Sequence, residues 1–126
     1  MIPERYEPQL YALMRIVFGL MFLAYGLQKF GIGGDAAPFL SWPFGVAGVI
    51  EVVVGLCVIL GLFTGYAAFI ASGEMAFAFF SFHVPMGTIH PVNNMGKAAV
   101  LFCFAWLYIA SRGSGIYSID AARSKN

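Results

Sequence analysis

Apolar residues fill four long stretches of this chain, and the polar or charged positions inside them recur at helical spacing. The stretches cover residues 10–30, 44–63, 66–84 and 95–111. An α-helix rises ~1.5 Å per residue, so ~20 apolar residues cross the ~30 Å hydrocarbon core of a bilayer. The first three stretches meet that length. The fourth is shorter and includes Lys97, whose flexible stem can return its ammonium to the interface. The pattern predicts an all-α fold, an antiparallel bundle of four transmembrane helices, forming a single integral membrane domain over 1–126.

The inner faces of that bundle can be located from rotation about each helix. At 100° per residue, Arg15, Gly19, Phe22, Gly26 and Lys29 fall within an arc of roughly 80°. Gly48, Glu51, Gly55, Val58 and Leu62 share a face on the second stretch, and Ala67, Ala71, Glu74, Ala78 and Ser81 do so on the third. Small residues let membrane helices approach closely, so these stripes are the expected seams. The charges lie on the same stripes. Ionisable groups are costly at membrane depth and are rarely found there without a partner or a function. Counted from the side that holds the chain termini, the rise per residue puts Arg15 at ~8 Å, Glu74 at ~12 Å, Glu51 at ~20 Å and Lys29 at ~28 Å. The expected buried pairs are therefore Arg15 with Glu74 and Lys29 with Glu51.

The connections differ in length and composition. Residues 31–43 and 85–94 are rich in Gly, Pro or Asn, as turn-forming segments are. Both lie on the side opposite the termini. The remaining link, Gly-Leu-Phe-Thr-Gly at 61–65, is a tight turn that makes the second and third helices a hairpin. The half of the bundle under the long connections is the expected ligand site, bounded by Tyr25, Gln28, Lys29, Glu51, His83 and Asn94. A dry Lys29–Glu51 pair that only locks two helices together is the competing reading.

Composition agrees with the membrane assignment and excludes other classes. The 126 residues are 60% hydrophobic and 10% charged, with mean hydropathy +0.82, whereas soluble domains carry about 25% charged residues. A net charge of +1 leaves no basic stripe for nucleic acid. Glu4, Arg5 and Glu7 precede the first stretch, which ends at Gln28-Lys29 without a small-residue cleavage site, so this helix is expected to be retained. Arg5, Arg15, Arg112, Arg123 and Lys125 lie on the terminal side, and only Lys29 and Lys97 on the other. By the positive-inside rule both termini are expected in the cytoplasm. Tyr6, Tyr11, Tyr66 and Tyr108 then fall near the inner interface, where amphipathic rings sit.

Few residues point to redox or metal chemistry. His83 and His90 do not lie on facing helices, as bis-histidine haem ligation would require, and no metal site is expected. On a straight helix His83 lies about 180° around from Glu74. Cys57 and Cys103 form no C-x-x-C element, and their depths differ by ~10 Å, too far for a disulfide. The aromatic run Phe77, Phe79, Phe80 and Phe82 suits packing or lipid, and would also suit a flat quinone ring.

In order along the chain, "LMRIVFGLMFLAYGLQKF", "IEVVVGLCVILGLFTGYAAF", "EMAFAFFSFH" and "NNMGKAAVLFCFAWLYIASRGSGIYSID" resemble the DoxX family of small four-helix membrane proteins. Tyr25 stands where that family often has histidine, and Lys97 where glutamate is common. Those two departures weaken a proton-linked role. The resemblance implies an inner-membrane subunit or anchor of a redox-associated complex near the quinone pool, and no nucleophile–base pair, metal-ligand cluster or phosphate-binding loop in the residues argues for a stand-alone enzyme. Expected partners are the lipid bilayer, redox-complex subunits and further copies of the chain. No cofactor is evident in the residues themselves; a quinone is what the resemblance points to. Two other readings stand beside it: a small-molecule or proton carrier using the buried Arg15, Glu74, Glu51 and Lys29, and a purely structural membrane partner.

Overall fold

The computed structural model describes residues 1–32 and 44–124. Every regular element among them is helical. The long helices are α1 (Glu7–Lys29), α2 (Phe44–Leu60), α3 (Thr64–Ala78) and α4 (Lys97–Arg112), followed by a short α5 (Ile119–Ser124). Two helical runs, Glu4–Lys29 and Thr64–Met86, are long and apolar enough to cross a membrane; α2 is apolar but shorter. Most of the 31–43 connection and Lys125 lie outside the described residues.

Helix ends differ from expectation for local reasons. Pro8 sits in the first turn of α1, where its missing N–H costs nothing, and the helix starts at Glu7. α2 stops at Leu60 rather than 63 because Gly61 (φ 69°) and Phe63 (φ 52°) adopt left-handed backbone. Such backbone is easy for glycine and unusual for phenylalanine. α4 does not reach back to 95: Met95 is left-handed at φ 62°, and the Gly96 N–H is held by Oδ1 of Asn94 at 2.9 Å. No helix was expected at 119–124.

α1 and α2 pack backbone against backbone. A methyl group on Gly26 would sit 2.7 Å from Cγ2 of Val52 and 2.9 Å from the Gly48 carbonyl oxygen. One on Gly55 would sit 2.7 Å from the Leu23 nitrogen. α3 packs comparably closely on α4, and the α2–α3 seam is the loosest of the three. The core is aromatic. Trp106 of α4 is fully buried, with the Phe22 ring 4.9 Å away centroid to centroid and Phe18 and Phe102 beside it. Val54, Val58, Ala67, Ala68 and Ala71 complete it from α2 and α3.

After Ala78 the third helix widens into a π-helical turn at Phe79–His83 and tightens again at Val84–Met86. A π segment accommodates an extra residue in the helix and changes the rotation of everything beyond it. Ser81, expected on the inner seam, is therefore exposed, and His83 turns inward.

Candidate functional site

The loose α2–α3 seam encloses a cavity of about 600 Å³ in the half of the bundle away from the termini. Its walls are apolar, with Val46, Ala47 and Ile50 from α2 facing Ile70, Met75 and Phe77 from α3. Phe82 and Met86 continue the wall. Val46, Ile70, Phe77 and Met86 are exposed on the bundle surface, so the cavity opens sideways between the two helices.

Charge collects at its buried end. Nζ of Lys29 reaches across from α1 to Oε1 of Glu51 at 2.7 Å, and Glu51 is only 2% exposed. Lys29 stands at the last turn of α1, where a cation also meets the negative end of the helix dipole. Close α1–α2 packing at Gly26 and Gly48 brings the two side chains within reach. Glu74 of α3 engages Glu51 side chain to side chain and also senses Lys29. One oxygen of each carboxyl, Oε2 in both, is buried without a hydrogen-bond partner among the described residues.

This arrangement corrects the expected pairing of Arg15 with Glu74. Glu74 belongs to the Lys29–Glu51 cluster, and Arg15 turns toward the termini. Its Nη1 donates to the Ser114 carbonyl at 2.6 Å and its Nη2 to the Tyr117 carbonyl at 2.7 Å. Both acceptors are backbone groups of the segment that folds back after α4. Tyr11 donates to the Gly113 carbonyl of the same segment at 2.6 Å. Asp120 then faces the backbone N–H groups of Phe63 and Thr64 at the start of α3. Burial alone raises the Asp120 carboxyl, but the Ser114 hydroxyl, those N–H groups and the Arg123 charge outweigh it and hold the carboxyl below its usual range.

The residues expected around the site divide. Lys29, Glu51 and His83 line the cavity. Tyr25 and Gln28 are exposed on another face of α1, with Tyr25 edge-on to Phe102 of α4. Asn94 is buried but shapes the loop, donating to the Thr88 carbonyl at 2.9 Å and offering its own carbonyl to Nδ1 of His83 at 3.1 Å. Glu74, expected lower in the bundle, lines the cavity as well. His83 reaches it only through the π turn, so a straight helical wheel placed it on the wrong side. No group of three or more His, Cys, Asp or Glu suited to a metal is present among the described residues, and Cys57 and Cys103 are separate thiols. Cys103 instead meets Ser72, whose hydroxyl donates to its carbonyl at 2.8 Å.

Two helical runs long and apolar enough to cross a bilayer, beside a charged internal cluster, are the pattern of a small membrane protein. A family model described as DoxX matches residues 10–84. An uncharacterised protein of Haemophilus influenzae (strain ATCC 51907 / DSM 11121 / KW20 / Rd) is 41% identical over 128 residues, covering 93% of this chain and 92% of its own length. No solved structure matches. The chain belongs to the DoxX family.

Proposed function

We propose that this protein is a four-span protein of the inner membrane, with both termini in the cytoplasm, that binds and carries a small amphipathic molecule in the α2–α3 cavity. The observation that supports this reading most directly is the coincidence of an apolar, laterally open cavity with a cluster of the half-buried Lys29 and Glu74 around the buried Glu51. Ligand sites of about 300–1,000 Å³ are apolar chambers with a few convergent polar groups, and this cavity has that form. Buried ionisable groups in membrane helices most often mark such pathways. An opening between helices gives access from the bilayer, where an amphipathic molecule is already concentrated.

Native mass spectrometry of the detergent-extracted protein tests the reading. A bound small molecule retained by the native chain and lost on Glu51→Gln supports it. Transport in liposomes that depends on Glu51 separates carriage from storage. Loss of neither ligand nor transport on Glu51→Gln overturns it.

A second reading, a subunit or anchor of a redox-associated complex near the quinone pool, draws on the Phe77 and Phe82 wall and on the Lys29 ammonium as a donor for a ring carbonyl. A quinone among the retained molecules, together with co-purifying subunits, would favour it over the carrier.

A further inference from the structure

Two carboxyl groups and one ammonium meet at the buried end of the cavity. Lys29 engages Oε1 of Glu51, while Oε2 of Glu51 and Oε2 of Glu74 are buried with no hydrogen-bond partner among the described residues. A third acceptor faces the same space. Nδ1 of His83 engages the Asn94 carbonyl, which can only accept, so Nδ1 carries a hydrogen and in that tautomer Nε2 is an acceptor. Among the described residues, only the remaining N–H bonds of Lys29 stand against these three acceptors.

Charge is unbalanced in the same direction. In a low-dielectric site Lys29 neutralises one carboxylate, and the second needs either a proton or another cation. Glu51 from α2 and Lys29 from α1 face Glu74, and His83 lies beyond it on the continuation of its own helix. α4, packed on the other side of α3, brings Cys103 to Ser72 and no charged group to Glu74 among the described residues.

We propose that the cavity binds a protonated primary amine with an apolar body and takes it in exchange for one proton. This rests on the reading of the cavity as a ligand site and names the ligand's class. In the exchange, the carboxyl of Glu74 loses its proton to solvent and becomes the carboxylate partner of the incoming ammonium. One positive charge enters and one leaves, so the buried cluster keeps its net charge. The three N–H bonds of the ammonium equal in number the acceptors Glu51 Oε2, Glu74 Oε2 and His83 Nε2. The apolar body lies among Ile50, Met75 and the rings of Phe77 and Phe82, whose faces also favour a nearby cation.

The test is calorimetric titration of the full chain in non-ionic detergent with 4-phenylbutylammonium, in two buffers of different ionisation enthalpy. 4-Phenylbutan-1-ol serves as the neutral probe. One proton is released per amine bound, and Kd falls by about tenfold per pH unit below the titration of the cluster. The alcohol binds at least about tenfold more weakly, the difference expected of a charge-assisted contact. Glu74→Gln abolishes the proton release and weakens the amine. Tyr25→Phe, on the exposed face of α1 away from the cavity, leaves amine affinity and proton release unchanged. A general loss of folding would also remove the cooperative thermal transition, so a folded Glu74→Gln variant that keeps both the amine affinity and the proton release overturns the proposal. Equal binding of amine and alcohol without proton exchange overturns the ligand class but leaves the cavity as a site. No binding of either probe to protein that shows a cooperative thermal transition overturns both.

Discussion

Glu51 is 2% exposed, and its Oε1 lies 2.7 Å from Nζ of Lys29. Removing one partner of a buried pair strands the other, which costs about 3–5 kcal/mol. Lys29→Met and Glu51→Gln should each lower thermal stability in detergent by amounts of that order, and the double variant by less than their sum. Strict additivity would show that the contact is not energetically real. Arg15→Met and Glu74→Gln should by contrast add within about 0.5 kcal/mol, since the two side chains belong to different networks. Lys29 and Glu51 were legible in the sequence as an inward pair because they lie on small-residue stripes, whereas Glu74 was expected beside Arg15. The partners of Arg15 were not. Its acceptors are main-chain carbonyls of Ser114 and Tyr117, and a carbonyl leaves no mark on composition or spacing. Gly26 and Gly55 are the clearest packing signals, and Gly55→Val should cost about 1–3 kcal/mol by forcing α1 away from Leu23.

At the level of elements, the decisive departure from regular periodicity is the π turn at Phe79–His83. Wheel arithmetic assumes a constant rotation per residue, so it misplaced both Ser81 and His83. Deleting Phe80, which is exposed within the turn, should restore a regular α-helix and swing residue 83 out of the cavity. A cysteine placed at 83 reports this: its labelling by a membrane-permeant maleimide should be blocked by a cavity ligand in the full-length helix and be insensitive to that ligand after the deletion. The segment after α4 is a second element that sequence periodicity missed, since its order comes from Tyr11, Arg15 and Asp120 rather than from an apolar face. Asp120 acts there as a borrowed cap for α3, and Asp120→Ala should cost about 1 kcal/mol. Its carboxyl titrates below the ordinary aspartate range, so the stabilisation is fully present above that range and disappears as pH falls through the lowered value. Protease sensitivity of residues 113–124 should therefore rise on acidification, and Asp120→Asn should flatten that rise.

For the whole molecule, the Glu7–Arg112 and Tyr11–Gly113 contacts place the start of α1 and the end of α4 at one face, with the 84–97 connection at the other. A reporter fused after Ser124 should signal the cytoplasm and one inserted at Gly87 the opposite side, because five of the seven basic residues lie on the terminal side. Opposite signals at both points would invert the assignment. The apolar stretches made the overall helical plan readable from sequence, but not how loosely the α2–α3 seam closes, which depends on side-chain volumes meeting in space. The clasp of Arg15 also sets an order of events. Ribosomes extend a chain from its first residue onward, so Arg15 is synthesised about a hundred residues before the carbonyls of Ser114 and Tyr117 that receive its N–H bonds. Until then its guanidinium is an unmet demand inside the nascent bundle. A chain halted before residues 114–117 therefore carries the Arg15 cation without either of these acceptors.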